Sequence, residues 1–158
     1  MTFIIDIQRA FSDKDLQKDF PSDKAIKSII TTVLTKFRSN GELSIRIVNP
    51  DEIQDLNKRY RHKDKPTNVL SFPMDLELPD GIDLPHELLG DIVIAADIIK
   101  QEAIEQKKSF ISHFTHILIH GTLHLLGFDH INNDDAKIME DHEINIMQEL
   151  NFANPYKN

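Results

Sequence analysis

Between Ser109 and His130 the chain reads SFISHFTHILIHGTLHLLGFDH, a stretch that holds five of the eight histidines. His113, His116, His120 and His124 are spaced three, four and four apart. At ~100° per residue they share an arc of ~80° on one side of a helix. Phe110, Phe114, Ile117, Leu118 and Leu125 fill the adjacent arc, so the histidine line borders the core-facing stripe, where the floor of a cleft is expected. Neutral imidazoles bind a metal ion at ~2.0–2.1 Å. One ion cannot use all four, because His116 and His124 differ by ~12 Å of helical rise, whereas ligands one turn apart differ by ~6 Å. The feasible helical pairs are His116 with His120, or His120 with His124. Leu126-Gly127 ends the helix, and Phe128-Asp129-His130 turns the chain back, which places His130 beside His124. His120, His124 and His130 then offer three nitrogens and leave a coordination position open for water, as catalytic sites require. His113 and His116 are expected to line the cleft or to support the ligands, and His86 and His142 to lie on the surface. Asp129 either orients one of the histidines or caps the turn.

These side chains need a frame. Phe3, Ile5 and Ile7 alternate within Thr2–Gln8, the period of a strand with one buried face. Pro21-Ser22-Asp23 opens a helix carrying Ile26, Ile29, Ile30, Val33, Leu34 and Phe37 on one face, with Asn40-Gly41 as its expected stop. Leu43, Ile45 and Ile47 read as a second strand, and Asn49-Pro50-Asp51-Glu52 as a helix start with Ile53, Leu56 and Tyr60 behind it. Val69–Phe72 is a short strand ended by Pro73, and Ile92–Ala95 is an apolar strand expected to be buried on both faces. The connection from Pro73 to Gly90, rich in Pro and acids, reads as a surface insertion or a functional loop. Helix follows to Leu126 with a break near Lys107–Ser109, and a last amphipathic helix covers about Asp134–Leu150. The expected fold is α+β, a small mixed sheet of about four strands with helices packed around it and the metal site at the end of a buried helix.

With 158 residues, a net charge of −8 and 40% hydrophobic residues, the chain has the size and composition of one globular domain spanning 1–158. The absence of cysteine excludes disulfides, thiolate metal sites and Cys nucleophiles, and suits a reducing cytoplasm. The start carries no signal-peptide pattern, and no apolar run reaches the ~18 residues a membrane helix needs. The acidic balance argues against generic nucleic-acid binding, DNA included. Locally the charge reverses: Lys58 to Lys65 reads KRYRHKDK, with Lys58, Arg59, Arg61, Lys63 and Lys65 against one acid. By itself such a run is a solvated face.

The segment His120–His130, HGTLHLLGFDH, closely resembles the signature of the YbeY family of metal-dependent endoribonucleases. Tyr60–Pro73 (YRHKDKPTNVLSFP) and Leu89–Ile94 (LGDIVI) resemble two further stretches of the same family, in the same order. The resemblance implies that His120, His124 and His130 hold one zinc ion or a related metal such as nickel. It further implies that Arg61 and the basic segment around it bind or process RNA. The activity so implied is single-strand-specific cleavage in 16S rRNA 3′-end maturation and ribosome quality control, with rRNA and the ribosome or a small-subunit precursor as partners.

The chemistry of the residues agrees. A helical His pair of this spacing also occurs in H-E-x-x-H metallopeptidases, where the Glu is the general base, but here that position is Gly121. Three neutral ligands leave a metal its full charge for a water and for phosphate oxygens. Arg61 adds a planar fork that suits a phosphate. Phosphodiester hydrolysis is therefore favoured over a ribosome-assembly factor with a structural metal, and both over a small zinc peptidase. Water and the 2′-hydroxyl both remain open as nucleophile.

Overall fold

The computed structural model describes residues 2–74, 79–81, 84 and 86–157. Much of the acidic Pro73–Gly90 connection therefore lies outside the described residues. Among those described, four strands and six helices run in the order β1 (Thr2–Ala10), α1 (Lys14–Asp19), α2 (Asp23–Leu34), β2 (Asn40–Val48), α3 (Pro50–Arg61), β3 (Val69–Pro73), β4 (Leu88–Ala95), α4 (Ala96–Glu105), α5 (Phe110–Leu125) and α6 (Asn133–Glu149). The fold is α+β, as expected from the order of elements.

The strands form one mixed sheet in the order β1-β2-β4-β3. β1, β2 and β4 are parallel, and β3 lies antiparallel at the edge. Pro73 ends β3 there, where its missing N–H costs little. Leu43, Ile45 and Ile47 are buried at alternate positions of β2 and meet Ile92 and Ile94 of β4 in the main core. That core packs the sheet under α2 and α5. A smaller cluster on the other face joins Val48, Leu70, Val93 and Ala95 to Ile53 of α3. Every residue from Ile92 to Ala95 is buried, as the unbroken apolar run predicts.

Local chemistry sets the helix starts. Asp13, Ser22, Ser109 and Asn132 each accept a hydrogen bond from a first-turn N–H, and Pro50 occupies the first turn of α3. The six-residue α1 is too short for a periodic signal and has no counterpart among the expected elements; its Asp13 cap and the buried Leu16 are its trace in the sequence. The expected stop of α2 at Asn40-Gly41 is corrected. The helix ends at Leu34, and Asn40-Gly41 begins β2, because Gly41 pairs with Phe3 of β1 as ordinary strand backbone. Gly127 does serve as the stop after α5, at φ 99°.

The pairing register shifts between Glu42 and Leu43, where β4 carries a bulge that ends at Gly90 with φ 133°. A Cβ there would stand 2.1 Å from the Phe72 carbonyl oxygen of the edge strand. Gly90→Ala is therefore expected to destabilise the fold by on the order of 3 kcal/mol, read as a lower urea midpoint at unchanged m-value.

Candidate metal centre and cleft

Helix α5 is buried along nearly its whole length: Phe114, Leu118, Ile119 and Leu123 are fully enclosed, and Gly121 faces the sheet. A Cβ on Gly121 would lie 3.1 Å from Val69 and 3.3 Å from Ile92, and its carbonyl accepts from the Ser71 hydroxyl at 2.9 Å. This close approach of α5 to β3 and β4 favours glycine at the position after His120, since an added Cβ would make the Val69 and Ile92 side chains give by a few tenths of an ångström.

At the end of α5 the two helical histidines turn toward solvent. His120 and His124 are half-buried and His130, just past the turn, is exposed. One ring nitrogen from each of the three lies within 4.8 Å of the others. The Nε2 atoms of His120 and His124 stand 3.1 Å apart. Two nitrogens each ~2.0–2.1 Å from one ion in tetrahedral geometry lie about 3.3 Å apart, so this pair is already close to a ligating arrangement. Burial, reinforced by the adjacent His120 and His130 rings, pushes His124 below the ordinary imidazole range, so its neutral, ligating form dominates at pH 7. The triad can hold a metal ion.

What orients the triad lies on α6. Glu143 is 1% exposed, and its Oε1 accepts from His120 Nδ1–H at 2.9 Å and from His116 Nε2–H at 2.8 Å. Burial alone would raise this carboxyl, but the hydrogen bonds from His116 and His120 win and hold it at about 2. An ionised carboxylate can only accept, so His120 carries its proton on Nδ1 and presents the Nε2 lone pair to the cluster. A carboxylate behind a ligating imidazole is the usual means of fixing both tautomer and ring direction. Sequence reasoning missed Glu143. Its signal was present, since Met139, Glu143, Ile146 and Met147 form the buried stripe of α6 and an acid on such a stripe requires a partner. Asp129 takes the turn role, accepting from the His130 N–H at 2.7 Å.

The histidines form one wall of a cleft of about 780 Å³. Arg61, Lys63 and Lys65 line the same cleft. They stand there because α3 ends in a left-handed cap at His62 and because the buried Asn57 amide donates to the Lys65 carbonyl at 2.9 Å, folding the chain back. Arg61 also donates to the Ser71 carbonyl of β3 at 3.2 Å. Lys58 and Arg59 do not join them: Lys58 pairs with Asp64 at 3.8 Å, and Arg59 pairs with Asp55 one turn back on α3. His142 is not a free surface residue as expected from its position. Its ring is half-buried between Phe37 and Phe128, with centroids 5.1 and 4.9 Å away, because α6 packs across the turn after α5.

Glu102 is a half-buried carboxylate of the cleft, which Asp129 also lines. Its Oε1 accepts from His113 Nε2–H at 3.0 Å and from the Asn68 amide at 3.1 Å. The His113 hydrogen bond, with help from Asn68 and against burial, holds it below the usual carboxylate range. A carboxyl depressed in the folded state stabilises the fold above its unfolded value, 4.5, and loses that contribution as pH falls below it. Glu102→Gln is accordingly expected to lower the urea midpoint at pH 7, and the gap to wild type is expected to shrink as pH falls from 5 toward 3.

Fold and site together define an α+β protein with a three-histidine cluster, fit for a metal ion, in a cleft that Arg61, Lys63 and Lys65 also line. A family model described as endoribonuclease YbeY matches residues 8–151. The chain is 47% identical over 160 residues to the endoribonuclease YbeY of Colwellia psychrerythraea, covering 99% of this chain and 98% of that protein. The chain belongs to the YbeY endoribonuclease family. The solution structure of TM1509 from Thermotoga maritima shares the fold, with a TM-score of 0.56 at 22% identity over 98% of this chain and all of the other. No helix among the described residues is long and apolar enough to cross a membrane.

Proposed function

We propose that residues 1–158 form one metal-dependent endoribonuclease domain that cuts single-stranded RNA, acting in the cytoplasm on 16S rRNA 3′ ends and in ribosome quality control, with the small-subunit precursor as its partner. The ligands are His120, His124 and His130, and the ion is zinc or a similar transition metal such as nickel. One observation carries the reading: the converging imidazoles share a cleft with Arg61, Lys63 and Lys65. When bound, the ion supplies a water activated near neutral pH and positive charge for a phosphate oxygen.

The chain supplies the rest. Lys63 and Lys65 draw in the RNA backbone, and Arg61 engages the phosphate at the centre with a two-pronged donor. Glu143 keeps His120 in its ligating tautomer, and burial keeps His124 neutral. His120 and His124 are recessed, so an unpaired, splayed strand reaches them, whereas a rigid A-form duplex holds its phosphates on the outside of a cylinder. Peptide hydrolysis of the H-E-x-x-H type lacks its base here, since that position is Gly121.

The test is cleavage of a labelled single-stranded RNA by wild type and a folded His124→Ala variant prepared in parallel, with the same sequence as a duplex for comparison. Cleavage of the single strand by wild type alone supports the proposal. Equal cleavage by both proteins, or none by metal-loaded wild type, overturns it.

A further inference from the structure

We infer that Tyr156, in the segment after α6, is a positioning residue for the metal centre: its phenol fixes the Glu143 carboxylate in the orientation that aims His120 at the ion. The inference rests on the metal reading of the triad above. The Tyr156 hydroxyl donates to Glu143 Oε2 at 2.8 Å, on the far side of the carboxylate from His116 and His120, which both donate to Oε1. The terminal torsion of a glutamate is soft and broad, so covalent geometry does not decide which way the carboxylate plane faces. Donors on both oxygens do decide it. With Oε2 held, Oε1 stays in position to accept from His120 Nδ1–H, and the Nε2 lone pair of the same ring is thereby directed into the triad.

Tyr156 is itself held in place. Its ring stands edge-on to His116 with centroids 5.3 Å apart, its N–H donates to Asn154 Oδ1 at 2.8 Å, and Lys108 donates to the neighbouring Pro155 carbonyl at 2.6 Å. A side chain 36 residues beyond His120 thus reaches the metal ligand through one buried carboxylate. Tyr156 is 46% exposed as a residue, so phenylalanine can replace it and remove the hydroxyl alone.

The experiment measures binding of Co2+, with no substrate present, by chelator competition and by the visible bands that report its coordination. Wild type, Tyr156→Phe, Glu143→Gln and the double variant are compared, together with their metal-free thermal midpoints. Loss of an outer partner of a ligating histidine weakens metal binding by ~10–100-fold. Tyr156→Phe is expected at the low end, ~10-fold weaker with altered Co2+ bands and a metal-free midpoint close to wild type. In the Glu143→Gln background the same change should add less than twofold, because its effect passes through that carboxylate. Co2+ affinity of Tyr156→Phe within twofold of wild type, or tighter, overturns the inference, as do losses that multiply in the double variant. Should Glu143→Gln fail to fold, the Tyr156→Phe affinity and spectrum decide alone. Absence of Co2+ binding by wild type overturns the metal reading, and this inference with it.

Discussion

His124→Ala is expected to lower single-strand cleavage by roughly 10³-fold or more while leaving the metal-free fold nearly as stable as wild type. Of the three histidines, His124 bonds His120 through Nε2 and interacts with the Phe128 backbone, so among the described residues its removal orphans no buried side chain. What disappears is one of three nitrogens. Two remaining imidazoles, one of them on the exposed turn at His130, do not hold an ion firmly in an open site. The metal's stabilisation of developing charge amounts to several kcal/mol, and each 1.4 kcal/mol is a factor of ten. Activity and metal content should therefore fall together, measured by cleavage rate and by metal analysis after dialysis. A variant that loses its metal but cuts at the wild-type rate would show that the triad is structural.

Arg61→Ala is expected to cost ~10²-fold in kcat/KM with metal content unchanged. The size follows from losing one charged donor aimed at charge that grows in the transition state. Arg61 lines the same cleft as the histidines and spends one N–H on the Ser71 carbonyl, its one side-chain hydrogen bond among the described residues. Arg61→Lys keeps the charge and loses the fork, so its loss should be smaller, ~10-fold. Steady-state kinetics on one short RNA, with Lys58→Ala as a control outside the cleft, separates the phosphate contact from general attraction. Equal losses for Arg61→Ala and Lys58→Ala would reduce Arg61 to a member of a diffuse basic field.

The convergence of the three histidines was legible in the sequence because its geometry is local. His120 and His124 are one turn apart on a helix whose face the apolar spacing dictates, and Gly127 allows the turn that brings His130 back within eleven residues. Strand alternation in β2, the helix opening at Ser22, the helix break near Lys107–Ser109, and the doubly buried run of β4 were legible for the same reason: each depends on neighbours a few residues away. The tertiary structure alone decided which distant groups meet. Glu143 comes to His120 from 23 residues away, and Tyr156 comes to Glu143 from 13 residues further on. The stripe of α6 on which Glu143 sits was a signal the sequence reading passed over, and periodicity alone names no partner for a buried acid. The basic run looked uniform along the chain, yet the cap at His62 and the Asn57 clamp send Lys63 and Lys65 into the cleft with Arg61, while Lys58 and Arg59 stay paired with acids outside it. The order β1-β2-β4-β3 and the antiparallel edge strand likewise depend on the packing of α5 against the sheet. Helical spacing, strand alternation and capping are satisfied within a few residues. The approach of α6 to α5, and of the α3 end to the histidines, is settled only when the whole apolar surface is buried at once.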